Sequence, residues 1–244
     1  MTAALFAMKR AQGVHRPALA AQIPVPGDDD APLVFLDCGA NTDVRPQHLI
    51  QFAFLGSAFS AAVLGVENPR VALLSVGEEQ KKGRADVVQA HEALADSTGI
   101  RFIGNVEGQD LLTGEADVIV TDGFTGNVTL KTLEGTARAV ADAVRDAARS
   151  NPLSAAGGLL LRPALGGLRR SMDPNGVGGA ILLGLRGVAV VAHGSSTPEG
   201  VANAVRLAHR AVTEHAVERT GELLAASGAT RDALREEPSE TGSR

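Results

Sequence analysis

The feature that most constrains this chain is a rhythm. Short β-branched runs, glycine-rich turns and longer helical patterns succeed one another along most of its 244 residues. Apolar runs at 33–36, 71–76, 101–103, 118–121 and 188–191 read as strands. Helical patterns follow at 46–64, 84–97, from Asp122 onward and at 198–224, and Pro46 stands early in its helix, where a missing N–H does no harm. Strands alternating with helices specify an α/β fold, a three-layer, doubly wound, mostly parallel sheet. The helix after Asp122 is the most regular: Leu133, Ala137, Val140, Val144 and Ala147 share one face, and Glu134, Arg138, Asp142, Arg145 and Arg149 the other. One α/β domain is expected over residues 1–226, with Asp28-Asp29-Asp30 as a hairpin tip and 227–244 as a disordered polar tail.

In a sheet of this kind the strand-to-helix loops gather at the carboxyl edge, where ligands bind. The loops carrying Asp37, Gly77, Asn105, Asp122 and His193 are therefore expected to face one crevice. Thr121-Asp122-Gly123-Phe124-Thr125-Gly126-Asn127 joins a strand to a helix. Gly123 and Gly126 would let the backbone approach a ligand, Asn127 would cap the helix, and free N–H groups there would cradle phosphate. Lys131 lies one turn further in. An ordinary cap with a surface lysine fits the same residues. Residues 77–83 (GEEQKKG) read better as a solvated charged turn than as a phosphate loop. His193-Gly194-Ser195-Ser196 offers a proton shuttle and two hydroxyls, or simply a helix cap. Cys38 reads as a small buried residue rather than a nucleophile.

Several classes of function are excluded. Aromatic residues make up 3% of the chain, with no Trp or Tyr, and the formal charge is −5, so neither base stacking nor a basic footprint supports nucleic-acid binding. The chain carries neither a paired-histidine zinc motif nor a G-x-G-x-x-G fingerprint, so no metal and no nucleotide cofactor is expected. A single cysteine suggests a cytoplasmic protein, and no run of eighteen apolar residues suggests a bilayer span. Between Asp146 and Asp173 the sequence has no carboxylate. Leu159, Leu160, Leu161, Arg162, Leu165, Leu168, Arg169 and Arg170 make that stretch basic and apolar, which suits an anionic membrane surface or a dimer interface rimmed by arginine.

Taken together, Arg16-Pro17-Ala18-Leu19, Leu36-Asp37-Cys38-Gly39-Ala40-Asn41, Gly77-Glu78-Glu79, Phe102-Ile103-Gly104-Asn105-Val106-Glu107, the run from Asp122 to Gly135, Gly178-Gly179-Ala180 and Ala192-His193-Gly194-Ser195-Ser196 resemble the PlsX family of phosphate acyltransferases. The resemblance extends from about Met1 to about Leu224. It implies a phosphotransacetylase or isocitrate–isopropylmalate dehydrogenase-like fold and a homodimer. The implied enzyme is cytoplasmic and peripheral to the inner face of the cell membrane, converting acyl-[acyl carrier protein] and inorganic phosphate to acyl-phosphate. That product passes to a membrane glycerol-3-phosphate acyltransferase for phospholipid synthesis. A coenzyme A-dependent acetyl- or butyryltransferase and a non-catalytic membrane or carrier-protein binding fragment are the alternatives. Asn127, Lys131, Ser195 and Ser196 are expected near the phosphate and His193 near the oxyanion or the leaving thiolate. Asp37, Asn41, Asn105, Glu107 and Asp122, with Gly123 and Gly126, are expected to shape the phosphate-binding loops. The family's N-terminal Asp-x-Met-Gly-Gly-Asp and Gly-Asn-Thr-Gly loops have no counterpart here, so the chain reads as truncated relative to the family.

Overall fold

Leu33–Leu36 is apolar at every position, as suits a strand covered on both faces, and all four residues are buried. The computed structural model, which describes residues 2–27, 32–171, 178–192 and 196–235, places this strand inside a seven-stranded sheet. In chain order the strands are β1 (Ala18–Ile23), β2 (Leu33–Leu36), β3 (Arg70–Leu74), β4 (Arg101–Val106), β5 (Val118–Val120), β6 (Ala180–Leu183) and β7 (Val190–Val191). Across the sheet they run β4-β3-β5-β2-β1-β6-β7. β2, β5, β3 and β4 pair parallel, β1 is antiparallel to both β2 and β6, and β7 is antiparallel to β6. Five strands thus point one way, and only β1 and β7 oppose them. Residues 28–31 lie outside the described ones, and the strands flanking them pair with Ile23 opposite Leu33, as a hairpin requires.

The helices are α1 (Thr2–Met8), α2 (Pro46–Phe59), α3 (Ala85–Ala95), α4 (Gly123–Arg149), α5 (Pro152–Ser171), α6 (Pro198–Thr213) and α7 (Ala216–Ala226). α2 continues through a wider π-type turn, Ser60–Leu64, which stops at Gly65 with φ of 78°. Every residue of α2 from His48 to Phe59 is buried, because the helix lies between the sheet and the packed α3 and α7. The 19 residues Pro46–Leu64 are long and apolar enough to cross a bilayer, yet 83% of that stretch is buried inside the fold. Side chains alternate across β2: Val34 and Leu36 face α2, while Leu33 and Phe35 join Ile119, Leu111 and Val106 on the other face. Leu130 and Leu133 of α4 lean on that second cluster. Beyond them α4 leaves the sheet and pairs with α5 as a helical hairpin, and Gly123 and Gly126 are its only buried residues.

Two expectations change, and one strand carries no mark in the sequence. The helix expected over 198–224 is two helices, broken where His215 takes a left-handed φ of 53°. Ala18–Ile23 is a strand although ALAAQI carries a single β-branched residue; β2 and β6 on its two sides supply the hydrogen bonds. Residues 227–235 are docked rather than frayed: Ala229 is buried, Leu234 packs on the core, and Gln51 Nε2 donates to both Ala229 O and Gly13 O at 2.8 Å. Residues 236–244 lie outside the described ones.

His48, inside α2, accepts a hydrogen bond from Arg45 N at Nδ1, 3.1 Å away. Burial first, then the neighbouring Arg16, His15 and Arg45, pull its pKa down to about 4. The folded state thus favours neutral imidazole. The stabilisation is complete above the unfolded pKa near 6.5 and is lost as pH falls toward 4, on the order of 2 kcal/mol in all. Urea midpoints measured from pH 7 to pH 4 should fall in the wild type and flatten in His48→Gln; parallel profiles would contradict this.

Candidate active site at the carboxyl edge of the sheet

The loop after β2 is organised by one carboxylate. Asp37 is fully buried, and its Oδ1 accepts from Leu19 N (3.0 Å), Ala40 N (2.9 Å) and Gly39 N (3.2 Å). Oδ2 accepts from Asn41 N and Asn41 Nδ2, both at 2.7 Å. Burial pushes the Asp37 carboxyl above its ordinary range, while the N–H groups of Ala40, Asn41 and Leu19 pull it back. Because all five partners are donors, the ionised form is the one this cage fits. Asn41 is itself committed: its Nδ2 also reaches Pro17 O at 2.8 Å, and its carbonyl accepts from Gly123 N at 2.7 Å. Asp37 and Asn41 are thus bound into the loop itself, with no free face for an anion.

Asp122 caps α4. Its Oδ1 accepts from Phe124 N (3.0 Å) and Thr125 N (2.9 Å), and its Oδ2 from Thr125 Oγ1 (2.7 Å) and Arg84 Nη1 (3.0 Å). Gly126 N bonds Asp122 O at 2.8 Å. The first N–H groups of the helix are therefore all taken within the protein, which corrects the expectation of an open phosphate cradle. Asn127 is not the cap but the fifth residue of α4. The two glycines also serve a different end. A Cβ on Gly126 would stand 2.0 Å from Asp37 O, and one on Gly123 would stand 2.7 Å from Asn41 O. They let α4 press against the Asp37 loop, not against a ligand.

Asn127 is exposed and lies against Gly39. Lys131 follows one turn later and pairs with Glu134 at 2.8 Å. Asn105 is on the same sheet edge but turns inward, meeting His91 Nδ1 at 2.9 Å and Glu79 O at 3.0 Å. It thereby pins the 77–83 turn. Glu107 starts a short 3₁₀ turn, its N–H donating to Asp110 Oδ2 at 2.8 Å. Arg84, which no local sequence signal marks, links this turn to the next: besides Asp122 it grips Asp86 at 2.7 Å. Cys38 is buried, and burial pushes its thiol up to about 12, as suits an inert residue.

Of the five loops expected at one edge, four leave the carboxyl ends of the parallel strands β2, β3, β4 and β5. β7 is antiparallel, with Val191 opposite the first residue of β6, so the chain leaves β7 toward the edge away from Asp37. His193 and Ser195 lie outside the described residues; Ser196 directly precedes Thr197, the cap of α6. On α5, Leu159, Leu160 and Leu161 are exposed, as is Leu153 near its start. Arg162, Leu165, Leu168, Arg169 and Arg170 belong to α5 by backbone, and their side chains lie outside the described set. Among the described residues no group of three or more His, Cys, Asp or Glu stands together.

The mixed, mostly parallel sheet with helices packed on it is an α/β fold shared with solved phosphotransacetylases. The EutD phosphotransacetylase of Staphylococcus aureus superposes with a TM-score of 0.55 at 21% identity, over 85% of this chain and 57% of that one. A phosphotransacetylase from Streptococcus pyogenes gives 0.52 at 19% identity, over 88% and 58%. The family model described as "Fatty acid synthesis protein" matches residues 1–219, and the chain belongs to that family. It is 46% identical over 215 residues to the phosphate acyltransferase of Bacillus subtilis and 47% over 229 residues to that of Anaeromyxobacter dehalogenans. It spans 64% and 62% of the length of these two relatives, and 88% and 94% of its own length is matched.

Gly126→Ala should destabilise the fold by roughly 3 kcal/mol or more, because the clash is with backbone. Gly135→Ala, with nothing within 4 Å of the new Cβ, should be neutral or stabilising by up to ~1 kcal/mol. Thermal melts of the two variants give the answer; similar melting points would refute the packing role of Gly126.

Proposed function

We propose that this chain is the greater part of a phosphate acyltransferase, converting acyl-[acyl carrier protein] and inorganic phosphate to acyl-phosphate for phospholipid synthesis. The observation that carries the proposal is the 43–47% identity to relatives bearing that name, sustained over 87–94% of the chain. In the reaction a phosphate oxygen attacks the thioester carbonyl carbon, forming the C–O bond. The tetrahedral oxyanion then collapses, the C–S bond breaks, and the carrier's thiolate leaves. The protein's part is to position the reactants and place donors where the oxyanion forms. Asn127, exposed beside Gly39, and Lys131 one turn on are the groups assigned to phosphate at the crevice. Ser196, Ser195 and His193 are left out of this assignment, because the chain leaves β7 toward the opposite edge of the sheet.

The proposal includes a homodimer working at the cytoplasmic face of the membrane, with a membrane glycerol-3-phosphate acyltransferase taking the product. Exposed apolar side chains on the helical hairpin support this part: Val140 and Val144 on α4, and Leu153 and Leu160 on α5, which are 84% and 82% exposed.

Assays with acyl-[acyl carrier protein] and acyl-coenzyme A side by side, trapping acyl-phosphate with hydroxylamine, test the activity. Carrier-dependent product is expected, and Asn127→Ala should lower kcat on the order of a hundredfold without changing the melting point. Product from coenzyme A alone would transfer the chain to the coenzyme A-dependent class. No product from either donor, with the chain folded, would sink the proposal. The filled α4 start favours, as a second reading, a non-catalytic membrane-binding fragment. In flotation with anionic liposomes the chain should rise with the vesicles, and Leu153→Glu with Leu160→Glu should leave it in the soluble fraction. Equal flotation of both forms would remove the hairpin from the membrane contact.

A further inference from the structure

A cavity of about 400 Å³ opens between the α1–β1 connection, the turn after β6 and the segment after α7. Lys9, Arg10, Arg186 and Arg231 line it, with Gln12 on the wall and Asp232 as its one carboxylate. The frame is held by backbone. Ala11 N donates to Gly184 O (2.9 Å), Arg186 N to Lys9 O (3.1 Å) and Arg231 N to Gly13 O (2.6 Å). Each arginine is fixed at one nitrogen: Arg10 Nη1 on His15 O at 2.5 Å, Arg186 Nε on Arg10 O at 3.1 Å and Arg231 Nε on Asp232 Oδ1 at 3.1 Å.

Four cations against one exposed carboxylate is a marked local excess on a chain whose formal charge is −5. Like charges gathered within a Debye length raise the local potential, and an anion relieves it. Three planar guanidinium forks, already oriented, suit the tetrahedral oxygens of phosphate better than a single carboxylate. The volume falls in the small-molecule range of roughly 300–1,000 Å³, more than a bare inorganic phosphate needs. We propose that this pocket binds a phosphate monoester, its dianion held by Lys9, Arg10, Arg186 and Arg231 and its organic body lying along Gln12 and Val14. The proposal does not rest on the acyl-transfer reading, since it concerns binding at the end of β6 and not the Asp37–Asp122 loops.

The test is titration of the ¹⁵N-labelled chain with phenyl phosphate, with inorganic phosphate and phenol as separate arms. Phenyl phosphate should bind saturably and shift the amides of Gln12, Gly13 and Arg186. Lys9→Gln and Arg231→Gln should each weaken it about five- to tenfold, and raising the salt from about 50 to 300 mM should weaken it further. Melting points report that both variants fold. Inorganic phosphate binding as tightly as the ester would overturn the ester as occupant while leaving an anion site. Absence of saturable binding, equal affinity in both variants, phenol binding as well as its phosphate, or shifts confined to residues 122–127 would overturn the site itself.

Discussion

A carboxylate sealed between two strands, receiving five N–H groups, holds the functional edge of this protein together. Asp37 ties β1 through Leu19 and its own loop through Gly39, Ala40 and Asn41. Asn41 then passes the constraint on, to Pro17 on one side and to the first residue of α4 on the other. A buried ion is tolerated only when its hydrogen bonds are complete, so the loop has little freedom to be anything else. Asp122 repeats the device one strand away, capping α4 while receiving Arg84 from the start of α3. The two acids convert separate strand ends into one rigid rim.

That rigidity explains the glycines of the family motif. Gly123 and Gly126 fall at the points where α4 touches the Asp37 loop, and neither leaves room for a methyl group. A motif that reads like a ligand-binding loop is here a packing joint. What remains outward at the rim is side-chain chemistry, the Asn127 amide and the Arg84 guanidinium, standing on a backbone whose own donors are engaged.

The helical hairpin has the opposite character. The 27 residues of α4 bury only two, and the apolar stripe through Val140 and Val144 faces outward. Its apolar face stays exposed beyond the turns that Leu130 and Leu133 set against the core and apart from its contact with α5. The chain spans less than two thirds of the length of the first relatives it matches.

Much of this was written in the linear pattern. The apolar run at 33–36, the strand at 118–121 and the periodicity of α4 identify an α/β sheet because burial on two faces and a 3.6-residue repeat leave direct compositional traces. The family, too, follows from local motifs such as Asp122 to Gly135. Tertiary structure alone decided the rest. Ala18–Ile23 becomes a strand because neighbours on both sides complete its hydrogen bonds, β7 runs backward because it closes a hairpin on β6, and Arg84 reaches Asp122 while Arg231 N reaches Gly13 O, both far along the chain. The physical reason is that periodicity records which face a residue buries, whereas strand direction, helix-start occupancy and the gathering of distant charges depend on contacts between segments that carry no mark of one another.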